Sequence, residues 1–125
     1  MTVIRAADAR RSETPGGVMT TFASPTQGGA ERALWRVDAR PGAEGPVHDF
    51  DVEQVWTWIA GAATVELGGE TYSVAAGDTV VMPARTVRRV LADPADGYTA
   101  VVTASAGARA MSPDGADFGV PPWIG

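Results

Sequence analysis

The stretch GAEGPVHDFDVEQVWTWIAG, Gly42 to Gly61, holds the chain's only histidine, His48. Behind it come alternating acidic and apolar residues, then Gln54, Trp56 and Trp58. Glu53–Ala60 reads as a strand, in which every second side chain shares a face. The segment has the look of a metal site with most of its ligands missing. A single histidine cannot build a two-His or three-His centre within one subunit. The question is what the remaining side chains do.

Working outward, 15 glycines and 9 prolines cut the chain into short pieces, and helical signals are poor. The pieces read as strands. Gly17–Ser24 is the first, and Arg32–Ala39 the second, with Trp35 and Val37 on one face and Leu34, Arg36 and Asp38 on the other. Beyond Glu53–Ala60, a turn is expected at Gly61-Ala62. ATVELGGETYSVA then reads as a hairpin through Gly68-Gly69. TVVMP, VRRVLA and YTAVVTAS follow. About eight short strands with regular turns indicate a sandwich or barrel. Trp123 and Ile124, in an irregular tail, are expected to pack on it.

The 125 residues form a single domain, with a barrel over roughly 17–105, an N-terminal extension and the C-terminal tail. The N-terminus lacks a long apolar run, so cytoplasm is the expected compartment and no membrane span is expected. A net charge of −5 argues against nucleic acid as a partner. There is no cysteine, and all 10 basic residues are arginine. Thiolate nucleophiles, Cys-based metal sites and lysine Schiff bases are therefore excluded. A Ser–His–Asp hydrolase is disfavoured, since no G-x-S-x-G elbow is present.

Two spacings carry a resemblance. Gly42, His48, Phe50, Gln54 and Gly61 fit G-x5-H-x-H-x3-E-x6-G, and Gly77, Pro83, Arg85, Arg88 and Ala92 fit G-x5-P-x-G-x2-H-x3-N. The chain thereby resembles the cupins. The resemblance implies an all-β fold, a double-stranded β-helix or jelly-roll barrel, and a homodimer, with Gly17–Ser24 a plausible interface element. In metal-dependent cupins three histidines and a glutamate bind the metal. Here those positions are His48, Phe50, Gln54 and Arg88, so one good ligand survives. No metal and no other cofactor is expected. A weak site built from His48, Gln54, a nearby carboxylate and waters is the alternative. Asp49 would point outward by alternation if His48 and Phe50 point inward.

With Gln54 inward, as its motif position implies, Trp56 and Trp58 share its face, and Arg88 and Val90 share one on the facing strand. The expected pocket is His48, Phe50, Gln54, Trp56, Trp58, Met82 and Arg88. Trp35, Met19, Phe22 and Tyr98 are further candidates whose facing the pattern leaves open. Phe50, Met82 and Trp58 also read as plain core. Buried arginine is costly without an anion. Arg88 therefore pairs with an internal acid such as Glu53, reaches solvent, or awaits an anionic ligand.

His48 is the one expected catalytic residue, a general acid or base. The set suits proton transfer in an isomerase, cyclase, dehydratase or decarboxylase acting on a small aromatic or polyketide-like, anionic molecule. A non-catalytic ligand-binding or structural protein is the second class.

Overall fold

The computed structural model describes residues 1–125. Eleven strands follow in order: β1 (Arg10–Thr14), β2 (Gly17–Ala23), β3 (Arg32–Ala39), β4 (Asp49–Phe50), β5 (Gln54–Leu67), β6 (Glu70–Ala75), β7 (Thr79–Met82), β8 (Arg88–Ala92), β9 (Tyr98–Ser105), β10 (Ala110–Met111) and β11 (Asp117–Gly119). The one helical element is a short 3-10 turn at Ala6–Asp8. The large sheet runs β1-β2-β3-β9-β5-β6, with β7 and β8 also paired to β5, and β11-β10-β4 form a small second sheet. All ladders are antiparallel. The all-β jelly-roll expectation holds.

β5 organises the barrel. Its first half pairs with β9 on one side and β7 on the other. Its second half pairs with β6 and β8. The Gly61-Ala62 turn expected from sequence is therefore a bend inside one long strand, next to a register shift between Trp58 and Ala60. Gly61 has φ 73°, and an added Cβ would lie 2.8 Å from the Tyr98 Cα and closer still to the Gly97 carbonyl oxygen. Only glycine combines that left-handed backbone with so close an approach. The hairpin at Gly68-Gly69 is as expected: both have positive φ, and Leu67 pairs with Glu70.

β1 was not foreseen, because RRSET carries no apolar alternation. It forms a hairpin with β2 across Thr14–Gly17. β2 is thus flanked on both edges by β1 and β3, which leaves only its outward face free for another copy of the chain. On β3, Ala33, Trp35 and Val37 are buried; alternation had put Trp35 and Val37 on one face, and the structure shows that this face is the inner one. The tail returns to the barrel: Ile124 is fully buried, and Thr21 Oγ1 donates to the Trp123 carbonyl at 2.8 Å.

The two motif segments pair directly. His48 N–H donates to the Arg88 carbonyl (3.1 Å), and Arg88 N–H donates to the His48 carbonyl (2.8 Å). Arg85, standing where the motif has glycine, keeps a left-handed φ of 57°. Its N–H donates to the Phe50 carbonyl at 2.7 Å, which holds the chain in that conformation.

The glycines make a direct test. Gly61→Ala combines left-handed strain with a backbone clash and should cost about 3 kcal/mol or more. Gly42 has φ 72° with open space around its absent Cβ. Gly42→Ala should therefore cost only about 1 kcal/mol. Equal losses in urea unfolding would contradict the bend as the constraint.

Candidate functional site

Beside the packed core the barrel holds a cavity of about 420 Å³. Its lining on the large sheet is Met19 on β2, Trp35 and Val37 on β3, Gln54 and Trp56 on β5, Arg88 and Val90 on β8, and Tyr98 on β9. Phe50, His48, the Thr14–Gly17 turn, the Ala43–Pro46 loop and Trp123 complete it.

Five of the seven expected site residues line this cavity: His48, Phe50, Gln54, Trp56 and Arg88. Trp58 and Met82 do not. Both are fully buried in the packed interior, Trp58 stacked behind Trp56 with ring centroids 5.5 Å apart. Alternation gave them an inward face, but it carries no information on which neighbours cover them: Met82 pairs directly with Gln54 and is still covered. Of the further candidates, Trp35, Met19 and Tyr98 line the cavity. Phe22 does not. It sits in the register shift between Thr21 and Ala23 and has no partner on β3, so strand alternation does not set its direction. The Thr14–Gly17 turn, the Ala43–Pro46 loop and Trp123 went unforeseen as cavity walls, because loops and tails have no periodicity to read.

The polar groups are few and specific. Gln54 is 1 % exposed. Its Oε1 accepts from Trp56 Nε1 at 3.0 Å, while its Nε2 is buried without a partner. Arg88 is 2 % exposed. Its Nε donates to the Thr86 carbonyl (2.8 Å) and one terminal nitrogen to the Pro83 carbonyl (2.9 Å). The other terminal nitrogen, Nη1, is buried and unpartnered. The guanidinium lies 5.5 Å from the Phe50 ring centroid, within cation–π range.

No carboxylate forms an ion pair with Arg88; the four ion pairs of the molecule involve Arg36, Arg85, Arg89 and Arg109. The Glu53 pairing considered above is not made. Burial lowers the Arg88 pKa to about 10, against the opposing influence of Asp49, so the group stays cationic at neutral pH. Asp49 does not line the cavity that His48 and Phe50 face, as alternation leads one to expect, yet it is only 5 % exposed: β4 pairs with β10, and Asp49 Oδ1 sits 3.3 Å from Arg85 Nε.

His48 is half-buried, its ring edge-on to Phe50 at 5.1 Å. Its Nδ1 lies 2.8 Å from the Pro46 carbonyl oxygen, which can only accept. The proton therefore sits on Nδ1, and Nε2 carries the lone pair. Desolvation by burial lowers the His48 pKa below 6.5, reinforced by the Arg88 charge and opposed by the Pro46 hydrogen bond and by Asp49. The ring is neutral at pH 7. Tyr98 is pushed above its ordinary value by burial and keeps its phenolic proton.

The cupin ligand positions do not fit a metal here. Phe50 has no donor atom, Arg88 is a cation, and the Gln54 oxygen is engaged by Trp56. Nowhere do three or more His, Cys, Asp or Glu side chains cluster in a way that could hold a metal ion.

A family model described as the Cupin domain matches residues 35–104, more than half of the chain. No curated protein matches the sequence. Among solved structures, an RmlC-like cupin from Shewanella frigidimarina is 21% identical with a TM-score of 0.71, covering 84% of this chain and 90% of that one. KdgF from Halomonas sp. is 23% identical with a TM-score of 0.68, covering 82% and 92%. The polyketide cyclase RemF from Streptomyces resistomycificus is 18% identical with a TM-score of 0.71, covering 84% and 79%. Identities this low establish a shared fold. The motif spacings, the ladder order around β5 and the family match agree, and the chain belongs to the cupin domain family.

Proposed function

We propose that the cavity binds a small planar molecule bearing a carboxylate or enolisable carbonyl, and that His48 moves a proton on it. The observation that carries this reading is the buried, unpaired Arg88. A desolvated cation without a carboxylate partner costs several kcal/mol, and an anionic ligand would offset that cost. Gln54 Nε2 is a second orphaned donor on the same apolar wall. Buried donors left without acceptors inside an aromatic cavity are the features of a site built for an oxygen-bearing ligand.

The chemistry follows from the order of the groups. Arg88 and Gln54 would hold a carbonyl oxygen and stabilise negative charge as it develops there. The neutral His48 Nε2 would take the proton from the adjacent carbon and return it elsewhere. Enolisation of this kind underlies isomerisation, aldol-type cyclisation and dehydration. Trp56, Phe50 and Tyr98 would supply flat apolar area for a ring. One structural neighbour is a polyketide cyclase; the reading rests on the cavity rather than on that likeness.

Arg88→Met keeps the length and removes the charge. Binding of aromatic carboxylates, followed by tryptophan quenching, should weaken about 10- to 100-fold. Unchanged affinity would make the cavity mere core. His48→Asn should keep binding and abolish turnover. Binding kept with no turnover by either protein would favour a ligand-binding module.

The single histidine lets proton resonances report on His48 alone. Its midpoint should fall below 6.5, and kcat/KM should decline only as pH drops below that midpoint. The depressed folded-state pKa has a second consequence. Between the folded midpoint and 6.5 the unfolded chain binds more protons, so stability should rise with pH across that window.

Purified protein should carry well under one equivalent of transition metal. Stoichiometric metal that survives dialysis and is lost in His48→Ala would reverse this reading.

A further inference from the structure

Every cavity wall except one lies on β1 to β9 or on the loops joining them, and the exception is Trp123. The difference is physical. Walls on strands are fixed by ladders shared with the whole barrel. The segment after β11 makes no backbone-to-backbone hydrogen bond to the barrel; its own backbone bonds are short turns, Ile124 and Gly125 N–H to the Pro121 carbonyl.

Side chains hold it instead. Thr21 Oγ1 donates to the Trp123 carbonyl (2.8 Å). Arg10 Nη2 (2.8 Å), Ser24 Oγ (2.7 Å) and Thr26 Oγ1 (2.7 Å) all donate to the Gly125 carbonyl oxygen. Ile124, fully buried, anchors the segment between these two attachment points. Trp123 is thus held at its own carbonyl and through the two residues that follow it, by contacts that its own side chain does not make, and its half-buried indole is left against the cavity.

We propose that Trp123 determines the size of ligand the cavity accepts, as an interchangeable wall carried by a clamped tail. The inference rests on the binding of a planar anion proposed above and adds its dimension. With the carboxylate at Arg88 and the ring against Trp56, the Trp123 indole limits how many fused rings fit. Replacing it changes the length of the cavity while the polar groups at Arg88, Gln54 and His48 stay in place.

The test is isothermal titration calorimetry of benzoate, 2-naphthoate and anthracene-2-carboxylate against the wild type, Trp123→Ala and Trp123→Phe. The wild type should discriminate against the tricyclic acid. Trp123→Ala should raise the affinity ratio of tricyclic to monocyclic acid by about 10-fold or more, and Trp123→Phe by about 3-fold. Should Trp123→Ala fail to fold, Trp123→Phe decides alone. A wild type that binds these acids, with the ratio unmoved in the variants, overturns this inference and leaves the proposed function standing. A wild type that binds none of the three overturns both.

Discussion

Strand β5 is the constraint on which the rest depends. It runs fourteen residues from Gln54 to Leu67 and pairs with four other strands. It can serve both halves of the barrel only by bending, and it bends at Gly61, where the Gly97–Tyr98 backbone comes too close for any side chain. Gln54 and Trp56 on its first half line the cavity, while Val65 and Leu67 on its second half pair with Val90 and Arg88 of β8, which line it as well. Both halves of the bent strand thus hold cavity walls in place.

Against that scaffold the site is defined by replacement. The two motif segments are joined by the His48–Arg88 backbone pair, and Arg85, where the motif has glycine, adopts a left-handed conformation that glycine takes most readily. The side chains have changed sign. A position that holds a metal ligand elsewhere in the family holds a cation, Arg88, braced by two carbonyls and the Phe50 ring. A cationic group in that place attracts anions where a metal site would attract donors. The paired motif segments bring these side chains together, and their chemistry is the basis of the proposed oxygen-bearing ligand.

The electrostatics of the cavity are consistent with one another. Burial lowers the basicity of both His48 and Arg88, in a cavity where water competes poorly for polar groups. The Arg88 charge works in the same direction on His48, while buried Asp49 offsets part of each shift. The outcome is a largely neutral imidazole beside a retained guanidinium, the pair of charge states that the proposed proton transfer would need.

The sequence by itself determined the all-β character, most of the barrel strands, the family and the identity of the polar groups, but not the polar strand β1 or the continuity of β5 through Gly61. Period-two alternation separates Trp35 and Val37 from Leu34 and Arg36, and the motif spacings align His48, Gln54 and Arg88 whatever their neighbours do. Three things were decided only by tertiary structure. Cover was one: Trp56 and Trp58 share a face, yet only Trp56 meets the cavity, because the filling of the barrel depends on side chains from distant strands. Burial of Asp49 was another, since β4 pairs with β10, about sixty residues away in the chain, and Arg85 lies against its carboxylate. The last was Trp123, which reaches the cavity through hydrogen bonds from Arg10, Thr21, Ser24 and Thr26 to a tail without periodicity. Local pattern fixes which way a side chain points; what it then meets is set by contacts between residues far apart in the chain.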